Sequence, residues 1–200
     1  LMLIAHNVGG LLPTIRSRCR VIPLKPLSQK NFAKCLHYIA PEINGEEITA
    51  LGIISDFSPG IALELKAQGA IALYDEILDL LGSALQIDNQ RIYRFCEQIG
   101  SGKKAHGNWQ LFTHIVLCII ERVAKKSAGA EITRISAGEA AVLSKLSEVY
   151  SAATWAAKWQ EVLSHFLLAE RLHLDYKQVA LAFFHSLAGE EEFILGNNAA

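Results

Sequence analysis

The chain has 200 residues, of which 51% are apolar and 20% are charged, and this balance excludes a disordered or low-complexity protein. Nineteen lysines and arginines against twenty acidic residues leave a formal net charge of −1. The chain as a whole therefore lacks the positive field by which many proteins hold nucleic acid, although this does not exclude a local basic patch. No apolar run approaches the roughly 20 residues that span a bilayer, and Leu1–Ala5 is not preceded by the cationic segment of a signal peptide.

The first 27 residues have the pattern expected at the end of an α/β domain. Leu1–His6 barely alternates between apolar and polar residues, which predicts a strand that is buried on both faces. Leu12–Arg18 follows as a short helix with Pro13 in its first turn, and Cys19–Leu24 returns as a second short strand. Because the sheet partners of a buried first strand are missing, we expect this chain to be the C-terminal part of a longer protein.

Strand signals stop after residue 27, and the remaining chain has the periodicity and the capping residues of helices. The predicted helices are 28–40, 46–55, 58–68, 70–85, 88–99, 108–126, 138–150, 152–172 and 175–187. The predicted fold class is therefore mainly α, in three parts. These are the end of an α/β core at 1–27, a four-helix unit at 28–86, and a helical bundle at 88–200.

The cysteines and histidines do not form the patterns of a metal site. Cys19, Cys35, Cys96 and Cys118 are too far apart for a zinc knuckle or a redox motif. We interpret them as reduced, mostly buried thiols of a cytoplasmic protein. The histidines lack the i, i+4 pairing of a metal-binding helix face, so no metal site is predicted.

Gly100–Lys103 has a superficial likeness to a phosphate-binding loop. Glu97 stands where such a loop has its first glycine, and Lys104 stands where it needs serine or threonine. The predicted context is helix–loop–helix rather than strand–loop–helix. A nucleotide site is therefore not predicted here.

Small positive clusters occur at Lys103-Lys104 and Lys125-Lys126, and Arg91 and Arg94 share a predicted helix face. Neither lysine cluster has interleaved aromatic residues for base stacking. A solvated surface is the favoured interpretation, and contact with nucleic-acid phosphates is the alternative.

Trp155 and Trp159 lie four residues apart on one predicted helix, and Phe166 follows on the same helix. This spacing is typical of a core face. The alternative is a stripe that binds a partner, and in an oligomerising domain both interpretations could hold.

The junction between the short helix and the second predicted strand carries Arg16, Ser17 and Arg18 beside Cys19. A guanidinium is permanently charged and forks onto phosphate oxygens, which suits it to stabilise the charge of phosphoryl transfer. An arginine fixed at the edge of a nucleotide-binding sheet can project from its own subunit toward a neighbour's nucleotide. The alternative is a pair of surface salt bridges.

One stretch of the sequence resembles a known family. The run Leu11-Leu12-Pro13-Thr14-Ile15-Arg16-Ser17-Arg18-Cys19, followed by Leu24-Lys25-Pro26-Leu27-Ser28, closely resembles the Ser-Arg-Cys region of bacterial DNA polymerase III clamp-loader subunits. These subunits, gamma/tau and delta-prime, have the AAA+ fold. The resemblance implies that 1–7 is the sensor-1 strand, 28–86 the AAA+ helical lid, and 88–200 the collar by which five subunits form a ring. His173–Gln178 is also similar to a stretch near the delta-prime C-terminus.

The resemblance also implies a role for the residues of the triplet. Arg18 corresponds to the trans-acting arginine finger, and Ser17 and Cys19 correspond to the residues that set its position. In ATP-hydrolysing members the lid carries a sensor-2 arginine shortly after a helix begins, and Ile61 occupies the matching position here. Because isoleucine cannot hold a γ-phosphate, the resemblance favours the delta-prime role, in which this chain itself is not catalytic.

This role implies partners and a cellular context. The partners are the gamma/tau and delta subunits, with the sliding clamp and primer–template DNA reached through the assembled complex. No cofactor is expected in this chain, since ATP is bound by neighbouring subunits, and the expected location is cytoplasmic, without a membrane partner. Two alternatives stay open: a fragment of the ATP-hydrolysing gamma/tau subunit, and a helical protein-interaction module that shares only the Leu-Leu-Pro-Thr run. Two neighbouring strands within residues 1–24 would exclude the second alternative.

Overall fold

A computed structural model describes residues 2–5, 8–23, 25–83, 89–102 and 104–187. Within these ranges the chain is mainly helical, which confirms the predicted fold class at that level. A 3-10 turn occupies Val8–Gly10. The α-helices of the described ranges are α1 (Pro13–Arg16), α2 (Gln29–Ile39), α3 (Gly45–Ile54), α4 (Pro59–Ala67), α5 (Ala70–Ser83), α6 (Asn89–Gly100), α7 (Ala105–Ser127), α8 (Glu139–Val149), α9 (Ala152–Leu172) and α10 (Tyr176–Leu187).

The two strands predicted near the start of the chain are not formed by the residues that the structure describes. Residues 2–5 and 19–23 have irregular backbone, and Met2 and Ile4 are 85% and 82% exposed. A strand persists only where its N–H and C=O groups pair with a neighbouring strand, and these two segments do not pair with each other. The strand predictions are therefore wrong for these residues, whereas the short helix between them is present as α1.

Several sequence predictions fall on residues outside the described ranges. These are the remaining strand positions at 1, 6 and 24, the domain boundary near 86–88, Lys103, and the tail beyond 187.

Polar caps begin the helices close to where the sequence predicts. The Ser28 hydroxyl accepts a hydrogen bond from a backbone N–H of the first turn of α2, and Ser151 does the same for α9. Asn44 and Glu47 form a reciprocal capping box at the start of α3. The Asp175 carboxylate accepts from the N–H of Lys177 at 2.9 Å at the start of α10. Local side-chain chemistry thus fixes these helix starts.

Helix α7 lies at the centre of the fold, packed against α5, α6, α8 and α9. Its sequence is apolar on nearly every side, which predicts a helix that is buried between neighbours, and this is confirmed. Its buried residues are Trp109, Leu111, Phe112, Ile115, Val116, Ile119, Ile120, Arg122 and Val123. Of the helices the structure describes, none is by itself long and apolar enough to cross a membrane, and α3 with α4 meets that criterion only as a pair bent by 107°.

The apolar core continues from the helices of segment 28–86 into the helices of segment 88–200. Helices α2, α3 and α4 pack on one another, and α5 packs against α7 and α8, where Tyr74 and Ile77 are fully buried. The Nε2 atom of His114 on α7 lies 2.7 Å from the carbonyl oxygen of Ile54 at the end of α3, a hydrogen bond in which the imidazole donates. The contacts of α5 with α7 and α8, and of His114 with Ile54, join segment 28–86 to segment 88–200. The assignment of these segments as a lid and a collar stays a prediction.

Helices α6 and α10 pack closely at Gly100, which allows a prediction about stability. A Cβ atom at this position would lie 2.7 Å from the Cβ of Lys177 and 2.8 Å from its backbone N. We expect Gly100→Ala to lower the free energy of unfolding by about 1–3 kcal/mol, because backbone atoms of α10 must move. Gly107→Ala is the matched control, since a Cβ at that helical position meets nothing within 4 Å. Chemical denaturation of both variants measures the difference, and equal stability would contradict this account of the helix crossing.

Candidate functional site

The Ser17-Arg18-Cys19 turn ends α1 and is held by hydrogen bonds to that helix. The Ser17 hydroxyl donates to the carbonyl oxygen of Thr14 at 3.3 Å, and the backbone N–H of Arg18 donates to Ile15 at 3.1 Å. The N–H of Cys19 donates to the carbonyl of Arg16 at 3.4 Å. Ser17 and Cys19 therefore hold the backbone on both sides of Arg18, although no strand begins at Cys19.

Arg16 and Arg18 are both exposed side chains of this turn. Neither guanidinium forms an ion pair with any residue in the described part of the chain. The alternative of structural salt bridges thus gains no support from the geometry. An exposed guanidinium without an internal carboxylate keeps its full set of donors for an external oxyanion.

Ile61 lies in the first turn of α4, which begins with Pro59, and its side chain is 45% exposed. The predicted start of this helix at Pro59 is confirmed, although the Ser58 side chain forms no capping hydrogen bond in the described part of the chain. An aliphatic side chain has no donor for a phosphate oxygen, so this position offers an apolar surface rather than a phosphate contact.

The cysteines are free thiols: Cys96 is buried, Cys35 and Cys118 are half-buried, and Cys19 is exposed. Burial raises the pKa of both Cys96 and Cys118 to about 12, so both are protonated and unreactive at neutral pH. Across the described ranges, no group of three or more His, Cys, Asp or Glu side chains is placed to hold a metal ion.

One member of each of two small positive clusters, Lys125 and Arg91, forms a surface ion pair. Lys125 contacts Glu121 one turn earlier on α7 at 2.5 Å, and Arg91 contacts Asp79 at 3.5 Å. The side chains of both pairs are exposed. This geometry fits the interpretation of the basic clusters as solvated surface.

The tryptophans of α9 belong to the core. Trp155 is 2% exposed and packs edge-on against Tyr150. Trp159 is half-buried, and its indole N–H donates to the carbonyl of Leu117 on α7 at 3.1 Å. Phe166 is also buried, in ring contact with Trp109 and Phe112. The core interpretation is confirmed, and these side chains do not form a free partner-binding stripe.

The structure brings together a buried polar network that the sequence analysis missed. Arg122 Nη2 lies 2.6 Å from Oε1 of Glu139 and donates at the same distance to the carbonyl oxygen of Thr133. The Tyr74 hydroxyl donates to Glu139 Oε1 at 2.6 Å, and the N–H of Ile135 donates to Glu139 Oε2 at 2.5 Å. The network joins α5, α7 and α8 and holds the loop between α7 and α8.

The surroundings of the network favour the neutral form of Tyr74 and the charged form of Arg122. Burial raises the pKa of Tyr74 well above its usual value, and the carboxylate of Glu139 raises it further, so the phenol stays a neutral donor. Burial lowers the pKa of Arg122, but Tyr74 and Glu139 more than offset this, and the net shift is upward. The one arginine inside the apolar α7 sequence was the available signal, because a charge in a buried helix requires a partner.

Comparisons with known proteins were made for the whole chain. No protein-family model, no curated protein and no solved structure matches this chain. The likeness to clamp-loader subunits therefore depends on the residues of that region and on the helical layout that follows them.

Proposed function

We propose that this chain is part of a clamp-loader subunit of the delta-prime kind, which helps to load the sliding clamp onto DNA in bacterial replication. In this role it presents Arg18 to the nucleotide of a neighbouring ATPase subunit in the cytoplasm. The observation that carries the proposal is the exposed Ser17-Arg18-Cys19 turn, which lies within a run of residues in the order of that family.

The geometry of the turn supports a contact in trans. Hydrogen bonds to α1 restrain the backbone on both sides of Arg18, and its guanidinium has no ion pair in the described ranges. A restrained backbone lowers the entropy lost when the side chain binds, and the planar fork matches phosphate oxygens. ATP would be held by the neighbouring subunit, and Ile61 fits a chain that does not hydrolyse it.

An apolar surface on α9 is the candidate contact with a sister subunit. Leu167 and Leu172 are 56% and 54% exposed, and Leu168 is also exposed, all in the last two turns of the helix. Exposed leucines grouped on one helix end are typical of protein contacts. We assign the contact with a sister subunit to these leucines rather than to Trp155 and Trp159, because both indole rings pack within the core of this chain.

A helical protein-interaction module is the second candidate function. It is favoured by the irregular backbone of residues 2–5 and 19–23, since two neighbouring strands there would have excluded it. In that case Arg18 would have no nucleotide to contact.

Assembly with loader subunits tests the proposal. The chain is mixed with the gamma/tau and delta subunits of the same organism and separated by size-exclusion chromatography. We expect co-elution in a ring, which Leu168→Asp combined with Leu172→Asp should abolish while Arg18→Ala leaves it intact. Elution of the unmodified chain apart from the other subunits would overturn the proposal and favour the interaction module.

A further inference from the structure

The charges of the chain are divided unequally along the sequence. Residues 1–41 hold six lysines and arginines and no aspartate or glutamate. The other 159 residues hold 13 basic and 20 acidic residues, a net charge of −7. The overall charge of −1 therefore hides a basic amino-terminal segment, whose local positive field favours anionic partners.

Helix α2 displays part of this charge as a stripe along one face. Lys30, Lys34 and His37 are spaced at i, i+4 and i+7, and Tyr38 follows at i+8. Residues at these spacings are neighbours on the surface of a helix. All four side chains are exposed, Tyr38 to 88%, while the opposite side of α2 is buried in the core.

Among the residues that the structure describes, the basic side chains of this segment form no ion pair with a carboxylate. The ion pairs that the structure shows are Lys66–Glu47, Arg91–Asp79, Arg122–Glu139, Lys125–Glu121 and Lys177–Glu97. All of them lie between residues 47 and 177. Lys30 and Lys34 pair with no acidic group in the described part of the chain, so an external anion would meet both lysines uncompensated.

An open, largely apolar groove of about 630 Å³ lies beside the stripe, between α2 and α3. Lys34, His37 and Tyr38 form its α2 edge, and Phe57 and Ile48 line it from the other side. Proteins that bind single-stranded nucleic acid combine cations that follow the backbone with aromatic and apolar surfaces on which bases stack. The stripe and the groove supply both features on one face.

We propose that the exposed face of α2 binds single-stranded nucleic acid, with Lys30 and Lys34 contacting phosphates and Tyr38 stacking on a base at the groove. An acidic peptide could neutralise Lys30 and Lys34, but it has no nucleobase that would stack on the exposed ring of Tyr38. The inference goes beyond the proposed function and does not rest on it, because it concerns this chain in isolation.

Fluorescence anisotropy with a labelled oligothymidylate of about 16 nucleotides, the upper end of site sizes for common single-strand-binding folds, tests the proposal on the full chain. The affinity should fall steeply as salt rises from about 50 to about 200 mM, because phosphate contacts release counterions. Lys30→Ala combined with Lys34→Ala should reduce the slope of log K against log salt by about two, one for each lost contact. Tyr38→Ala should weaken binding by about tenfold at every salt concentration through the lost stack.

Lys125→Ala combined with Lys126→Ala is the matched control, since it removes the same charge from another exposed site. It should leave binding nearly unchanged, and circular dichroism should show that all variants keep their helices. No binding by the unmodified chain at low salt, or an equal loss in the control, would overturn the proposal. So would equal competition by polyglutamate of the same charge, which would assign the face to acidic proteins. A Tyr38→Ala variant that binds normally would overturn the stacking contact.

Discussion

Arg18→Ala should slow ATP hydrolysis at the site facing this chain by on the order of a thousandfold or more, the usual worth of an arginine finger. In the proposed role the Arg18 guanidinium would neutralise charge that develops on the transferred phosphoryl group, and alanine would leave that charge uncompensated. The measurement is DNA-stimulated phosphate release by the reconstituted loader. Other sites in the ring dilute the total change, so hydrolysis is best followed with those sites inactivated.

Arg16→Ala is the internal control for this prediction. Arg16 is also exposed and lies two residues earlier, at the end of α1 rather than in the turn. Both variants should keep the stability of the parent chain, since exposed side chains without partners contribute little to it. An equal loss of ATP hydrolysis from the two substitutions, or normal hydrolysis with Arg18→Ala, would contradict the assignment of Arg18 as the arginine finger.

Arg122→Met should lower the free energy of unfolding by about 3–5 kcal/mol, the usual cost of leaving a buried carboxylate without its partner. The Arg122 and Glu139 side chains are 7% and 1% exposed, so water cannot replace the lost ion pair without opening the core. The loop that Arg122 holds through the carbonyl of Thr133 should also exchange its amide hydrogens faster. Chemical denaturation and hydrogen exchange measure these two effects.

An exposed pair on the same molecule provides the comparison. The side chains of Arg91 and Asp79 are 49% and 70% exposed, so Arg91→Met should cost about 1 kcal/mol or less. Arg122→Met combined with Glu139→Leu should cost less than the sum of the two single changes, because neither charge is then left alone. Equal effects of Arg122→Met and Arg91→Met would mean that the buried network does not stabilise the fold.

The helices were predictable because their signals are local. Ser28 and Asp175 cap their helices through bonds that span two or three residues, and Pro59 begins α4, where its fixed φ angle suits the first helical turn. The strands predicted around Leu3 and Val21 depend instead on pairing with distant backbone. An apolar run indicates a strand only where such a partner exists, and these segments have none among the described residues.

The candidate functional residues also differ in whether their signal is local in the sequence or depends on distant contacts. Arg18 could be singled out from its neighbours in the sequence, because the motif is contiguous. The contact of Arg122 with Glu139 and Tyr74 joins three helices, so no spacing rule reveals it. The spacing of Lys30 and Lys34 could have been read from the sequence. The net charge of −1 for the whole chain did not reveal it, because acidic residues elsewhere offset the basic segment.

A structure of the assembled loader, trapped with ADP and aluminium fluoride as a mimic of the transition state, tests the central claim most directly. The quantity to measure is the distance from the Arg18 guanidinium to the fluoride group on the neighbouring subunit. We expect a hydrogen-bonding distance of about 3 Å. An Arg18 side chain that faces solvent in a fully assembled, nucleotide-bound ring would contradict it.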